Sequence, residues 1–538
     1  MKRLLALPLL ILLATSAPKL GADPARMSAA VKMLASPEFE GRGPGTPGEE
    51  KTVNWLAGQF KAMGLEPGGE DGSFIQKVPM IHTRITGGDM AFGTFNQRQG
   101  DTISVTTVKP GARVQVDAPM VFVGYGVSAP EAGWDDFKGV DLHGKVAVFL
   151  INDPDFEAVE GDGAMGKFGG RRMTYYGRWT YKFDEAARRG AVAALIVHDT
   201  AGVGYPWSTV IANNGENYDI ERAANDPKIP LQGWIAHDTA DRLFASAGLD
   251  LNALRKAARQ ADFKPVALGG VNFTADLTVQ AERIESRNVL AKITGKTHPK
   301  ETIMFGAHWD AYGKSADGVI RPGANDDGLG VAGVLELARL FKAGKRPART
   351  LVFGLWTGEE RGLLGSEYYG SHPLYPLETT VANLTLDILQ TAGPAKNVVL
   401  VGNGNSSLDA MLAEAAAAQG RVVSPETFSE RGLFFRADHF SVARRGVPSL
   451  LIMQLGGAPD LVEGGLPAGQ AWLDAYMKCY HQPCDAWDAG WDLRGAAADV
   501  DLFHAVGIRL ATSRIWPSWR PGFEFEGIRD ASKAARKP

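Results

Sequence analysis

The chain has 538 residues, 45% of them apolar and 22% charged, with a formal net charge of −4. That length allows two or three domains, and the composition is that of a globular protein rather than a disordered or fibrous one. Without a basic excess, nucleic acid and anionic membrane surfaces are not expected partners.

The first residues read MKRLLALPLLILLATSAPKLGADP. Lys2 and Arg3 precede an apolar run, Leu4 to Ala14, that is too short to span a bilayer, and small residues follow at Thr15, Ser16 and Ala17. The pattern predicts a cleavable export signal over residues 1–22. No other uninterrupted apolar run is long enough to cross a membrane, so the mature protein is expected to be exported, periplasmic or extracellular, and free of the membrane. Oligomeric state is not legible.

The Gly/Pro loop EFEGRGPGTPGEE comes next, then a helix in EEKTVNWLAGQFKAMGL, where Val53, Leu56, Phe60 and Met63 recur at helical spacing and Gly64 marks a stop. Residues 110 to 270 read as a separate module. APMVFVGYGVS, GKVAVFLIND and VAALIVHD are short strands. YKFDEAARRG, ADRLFASAG and LDLNALRKAARQ are helices, and EGDGAMGKFGGRRM is a loop. From 285 onward strands and helices alternate. NVLAKITG, TIMFGAH, TLVFGLW, VANLTLD, NVVLVGN and PSLLIMQL are strands, and GVAGVLELARLFKAG, SSLDAMLAEAAAAQG and ADVDLFHAVGIRLATSRI are helices. Near-continuous apolar strands interleaved with helices predict an α/β fold with a mostly parallel sheet covered on both faces. Residues 526–538 read as a mobile tail.

Ligands of such sheets bind at the C-terminal ends of the strands, and the polar residues there are His308, Asp310, Glu359, Glu360 and Asp387. Asp326 and Asp327 precede a helix, and His481 lies between Cys479 and Cys484, the two cysteines of the chain. Each has an ordinary alternative when taken singly: a core histidine, a helix cap at Asp326, a solvated glutamate pair. Together they are too many ligands for one tetrahedral structural site and enough for two Zn²⁺ ions sharing a carboxylate. In an oxidising compartment the cysteine pair is a disulfide candidate, with free thiols or a soft metal site as the alternative.

The motifs HWD, GANDDGLG, TGEERGLLGS, LTLD and YHQPCD, in that order and spacing, resemble the co-catalytic zinc exopeptidases of metallopeptidase family 28, clan MH. The resemblance covers residues 30–95 and 285–520. It implies a zinc exopeptidase fold split as 23–109 and 276–525, with a β-rich α/β protease-associated domain inserted at 110–275. It also implies two zinc ions. His308 and Asp387 would hold one, Glu360 and His481 the other, and Asp326 both. Asp310 would orient His308, and Glu359 would be the general base for a metal-activated water. Tyr480 would stand near the developing oxyanion, Arg436 at the edge of the substrate site, and a Cys479–Cys484 disulfide would brace the loop of His481. His439 is a rival ligand, read instead as structural.

The implied activity is aminopeptidase action on a peptide substrate. Alternatives are a carboxypeptidase or dipeptidase, for which Arg436 or Arg431 would hold a terminal carboxylate, a receptor-like binding protein, or a one-zinc glutaminyl cyclase. Two departures from the pattern, ILQT after Asp387 and GLG at 328–330, touch no expected ligand.

Overall fold

The computed structural model describes residues 20–222, 228–315 and 317–536. The export signal read over residues 1–22 therefore lies almost wholly outside the described residues. Among the described residues no helix is long and apolar enough to cross a membrane.

The C-terminal half is built on a sheet in the order Val422–Pro425, Asn397–Val401, Ser449–Met453, Thr380–Asp387, His298–His308, Arg349–Trp356 and the end of the long strand Val266–Ile293. The three strands Thr380–Asp387, His298–His308 and Arg349–Trp356 run parallel. The 289–293 segment is antiparallel to its neighbour, as is Asn397–Val401 to Ser449–Met453. Every residue of Arg349–Trp356, Thr380–Asp387 and Ser449–Met453 is buried, so these strands read as unbroken apolar runs rather than alternating ones.

Alternation reappears in what each residue touches. Ala291, Ile303, Phe305, Leu351 and Phe353 belong to a core shared with the helices Pro47–Ala62, Gly330–Ala343 and Arg494–Thr512. Their chain neighbours Leu290, Met304 and Val352 belong to another, shared with Tyr369 and Val442. Successive strand residues point to opposite faces, so both faces of the sheet are covered. Each expected strand and helix of this half is present. The helices Pro24–Leu34 and Gly465–Cys479 were not foreseen. The first is set by Asp23, whose carboxylate accepts from the Ala25 N–H, and by Pro24 at its first position.

The inserted unit starts earlier than residue 110. Its core joins Met90, Phe92, Ile103 and Val105 to Val114, Phe122, Val148, Leu195, Phe244 and Val279. A cut at 110 or 275 fails for a physical reason. The strands Ile75–Phe92 and Val266–Ile293 pair antiparallel from Ile75↔Val289 to Phe92↔Phe273, so one hydrogen-bonded ribbon runs from one unit into the other. The expected loop 160–173 has no helix or strand.

The unit also packs on the C-terminal half directly. Met173 N–H donates to the Ser429 carbonyl at 3.2 Å, and the Tyr175 ring lies 5.2 Å from Phe440 and 5.9 Å from Phe525.

The expected mobile tail is a correction. Glu526–Ala531 form a helix, and Arg529, 3% exposed, donates to the carbonyls of Thr380 and Val381 at 2.9 and 3.2 Å. A buried guanidinium on main-chain carbonyls anchors this segment to a central strand.

Candidate metal centre

Three adjacent parallel strands end at one place. His308 closes His298–His308, Asp387 closes Thr380–Asp387, and Glu359 and Glu360 follow Arg349–Trp356 by three and four residues. Asp326 arrives on the turn before the helix Gly330–Ala343, and His481 two residues past the helix Gly465–Cys479.

Asp326 stands at the centre. One of its oxygens lies 3.1 Å from His308 Nε2, and the other 3.2 Å from His481 Nε2. Beyond them, Asp387 is 3.9 Å and Glu359 3.8 Å from His308 Nε2, and Glu360 is 3.1 Å from His481 Nε2. Two groups of side chains can each hold a metal ion: His308 with Asp327 and Asp387, and Asp326 with Glu360 and His481.

The electrostatics of the site suit a cation. Asp387 Oδ1 and Asp310 Oδ2 are buried without a hydrogen-bond donor, a costly state for a carboxylate. Burial, then repulsion from neighbouring carboxylates, pushes Asp387 up, and likewise Glu360 beside Asp326. Glu359 is pushed well above the usual range, by burial and then by Asp387 and Glu360, against the pull of His308. Burial would lower His481, yet Glu360 and Asp326 raise it to about 10. Imidazoles and carboxylates crowded in this way fit zinc, and a divalent cation would hold the acids ionised.

The ring nitrogen Nδ1 of His308 is nearer the main-chain carbonyl of Asp310, at 3.1 Å, than its carboxylate, at 3.6 Å. The Asp310 carboxylate instead accepts the Glu359 N–H at 3.0 Å. It ties the loop of the two glutamates to the end of the histidine strand, and the carbonyl does the orienting expected of the side chain.

Four contributors had no role in the sequence reading. Asp327 clamps main chain, accepting the N–H groups of Gly330, His308 and Ile388 at 2.9, 3.2 and 3.4 Å. That engagement makes Asp387 the freer partner of His308. Asp485 accepts the N–H groups of Asn325 and Asp326 at 3.0 and 3.1 Å, so it holds the turn that presents Asp326. Arg42, wholly buried, donates to the carbonyls of Trp309, Leu34, Pro322 and Gly323. Tyr312 places its hydroxyl 3.1 Å from His481 Nδ1. Asp485 and Arg42 lie inside motifs singled out above, YHQPCD and EFEGRGPG. Nothing in the sequence marks Tyr312.

Cys479 and Cys484 are bonded, closing the loop that carries Tyr480 and His481. The Tyr480 ring lies 3.6 Å from the His481 ring. His439 falls outside both ligand groups. It is buried edge-on to Phe434 at 4.6 Å, and burial lowers its pKa to about 3.

Arg436 is partly exposed, and Tyr480, Tyr205 and Glu359 act on its charge. Arg178, from the inserted unit, is 7% exposed and has a buried Nε without an acceptor. Burial and the nearby Arg436 guanidinium lower its pKa to about 10. Among the described residues no carboxylate pairs with either arginine.

Comparison with known proteins gives this geometry a family. The model of peptidase family M28 matches residues 288–504. Residues 288–504 are a peptidase family M28 domain. Leupeptin-inactivating enzyme 1 of Streptomyces exfoliatus is 28% identical over 58% of this chain and 68% of its own length. Carboxypeptidase Q of Xenopus laevis is 34% identical over 35% of this chain and 34% of its own. Leucine aminopeptidase 2 of Arthroderma otae is 28% identical over 41% and 44%. The chain thus spans less than half the length of the last two. Among solved structures, an aminopeptidase from Aneurinibacillus sp. strain AM-1 shares the fold over 91% of this chain and 94% of its own, at 21% identity and a TM-score of 0.50. Each of the five motifs singled out in the sequence places a residue in these ligand groups: His308 of HWD, Asp326 and Asp327 of GANDDGLG, Glu360 of TGEERGLLGS, Asp387 of LTLD and His481 of YHQPCD. The aspartate of HWD serves through main chain and loop contacts.

Proposed function

We propose that the protein is an exported aminopeptidase that uses two zinc ions to hydrolyse the first peptide bond of its substrate. One observation carries this reading: the two oxygens of Asp326 reach one histidine each, at 3.1 and 3.2 Å. Asp326 would help to hold both ions, with His308 and Asp387 completing one set and Glu360 and His481 the other. When bound, zinc supplies a Lewis acid and draws the pKa of water down towards ~7.

Glu359 is the general base. It stands beside both ligand groups, 3.8 Å from His308 Nε2 and next in the chain to Glu360, where a carboxylate can take a proton from the attacking water. It takes a proton from the attacking water as the oxygen bonds to the scissile carbon, and returns it to the amine nitrogen as the C–N bond breaks. The Tyr480 hydroxyl donates to the carbonyl oxygen as negative charge builds there. The ring of carboxylates favours a free α-amine. The leucine aminopeptidase relative supports this polarity, and the reading of residues 1–22 with the bonded cysteines supports export. The inserted unit, similar to a protease-associated domain, lies over the mouth and limits substrate length.

A second reading has its own observation. The guanidiniums of Arg436 and Arg178, near enough for the first to lower the pKa of the second and with no salt bridge to either among the described residues, suit a substrate's terminal carboxylate, and carboxypeptidase Q is among the relatives. Digestion of a defined peptide library by the metal-analysed enzyme separates the two. Release of N-terminal residues with two zinc ions per chain supports the aminopeptidase. Release of C-terminal residues, abolished by Arg436→Ala, replaces it with the carboxypeptidase.

A further inference from the structure

The loop that supplies Glu359 and Glu360 continues into Arg361, which the reaction above does not use. Its Nε is buried without an acceptor. Its guanidinium lies 5.0 Å from the ring of Tyr218 and 5.2 Å from the ring of Tyr312. Tyr312 in turn lies 4.6 Å from the His481 ring, with its hydroxyl 3.1 Å from Nδ1. At the other end of this series, His82 stacks on Tyr218 at 4.3 Å with planes 11° apart. Its two nitrogens are held by Glu216 and Glu282 at 2.8 and 2.9 Å.

The series crosses the boundary between the two halves. Tyr218 sits on the strand Glu216–Ile220 of the inserted unit, opposite His82 in an antiparallel pair. Ile220 shares a small core with Val78, Met80 and Leu364, and Leu364 opens the helix after the glutamate loop. The strand is therefore fixed against the catalytic half where Arg361 emerges.

His481 needs such help. Its side chain is 27% exposed, it sits past the end of a helix rather than at the end of a strand, and its φ is +61°. A metal ligand has to be held to within about 0.5 Å. Tyr312, which orients the ring, also lies on a loop, so it needs a support of its own.

We propose that Tyr218 of the inserted unit is a positioning residue for His481, acting through Arg361 and Tyr312. The inserted unit then helps complete the metal centre as well as shaping its mouth. The planar guanidinium is suited to this role because it stacks on aromatic rings while staying charged. The proposal rests on the reading of His481 as a metal ligand.

The test is equilibrium competition between the full-length holoenzyme and a zinc chelator, with the visible spectrum of the cobalt-substituted protein as a second readout. The variants are Tyr218→Ala, Tyr218→Phe and Arg361→Met. Tyr218→Ala and Arg361→Met are expected to weaken the more labile zinc about three- to tenfold and to shift the cobalt spectrum. That is less than the ~10–100-fold typical of a group that touches a ligand directly. Tyr218→Phe keeps the ring and should match the parent. If Tyr218→Ala does not fold, Arg361→Met, on a partly exposed loop, carries the test. Parent-like zinc affinity and spectrum in the folded variants overturn the proposal, as does a Tyr218→Phe variant as weak as Tyr218→Ala. Should His481→Ala hold both ions as tightly as the parent, the ligand reading beneath the proposal fails instead.

Discussion

The two histidines of the centre come from unlike surroundings. His308 ends a central strand, with parallel neighbours on both sides and 1% of its side chain exposed. His481 has no strand behind it. It is held by a disulfide loop, by Tyr312 and by its own contacts with Asp326 and Glu360. The first position is set by the fold, because moving His308 means breaking a buried ladder. The second is set by a few side chains, and it can be loosened without unfolding the sheet. If both histidines hold zinc, the ion on the His481 side is the one that substitutions away from the ligands should release.

The largest effect separates the two glutamates between these sides. Glu359→Gln keeps size and shape and removes the base, so zinc content should hold while kcat falls ~10²–10⁴-fold. Glu360→Gln replaces a carboxylate ligand by a neutral amide, a poor one for zinc. It should lose the ion on the His481 side, and added zinc should partly restore activity. Metal analysis and kcat for both variants, with and without added zinc, check this. Zinc loss in Glu359→Gln but not in Glu360→Gln would reverse the assignments.

Next come the groups that touch ligands without being ligands. Tyr312→Phe removes the hydroxyl at His481 Nδ1 and should weaken one zinc ~10–100-fold. Asp485→Asn loosens the turn that carries Asp326, so it should weaken both ions. Chelator competition distinguishes one weakened site from two. Two weakened sites in Tyr312→Phe would show that the two sides are not independent.

The same contrast explains what could be read from the sequence. The strand ends were legible because buried parallel strands write continuous apolar runs, and a carboxylate or histidine after such a run stands out. His481 was legible as part of a motif, not from any periodicity. Tyr312 and Tyr218 were not legible, because their roles arise from rings meeting across more than 90 residues of chain. Arg361 was in view, within TGEERGLLGS, but nothing in one sequence shows which ring a guanidinium will meet. The domain boundary failed for a related reason. A 28-residue strand, Val266–Ile293, belongs to both units, and its alternation does not change where one core gives way to the other. Residues 526–538 looked like a tail because they are polar, yet Arg529 reaches back to main-chain carbonyls.

A smaller effect is expected from the disulfide. Closing a loop this short stabilises by about 2 kcal/mol in the chain-entropy model, and the sheet does not depend on it. The double variant Cys479→Ser, Cys484→Ser should fold, melt a few degrees lower, and lose zinc from the His481 side alone. Thermal melting and zinc titration read the two effects separately. Loss of both ions at once would mean that the loop supports the His308 side as well.

The smallest effect is expected at His439, and it tests whether His481 rather than a nearer-looking histidine supplies the imidazole. His439 begins a short helix, His439–Ala443, one residue after Asp438, a pairing that invites a ligand reading. The surroundings speak against it. The ring is fully buried and edge-on to Phe434. Burial lowers its pKa to about 3, so it is neutral throughout the working range and its role is packing. His439→Phe keeps a planar ring of similar size in an aromatic setting, at a cost typical of volume-conserving core changes, below about 1.5 kcal/mol. Zinc content, kcat and KM should match the parent, with only a small change in Tm. A variant that folds but retains one zinc instead of two would make His439 a ligand, and would leave the His481 loop as a substrate-binding element.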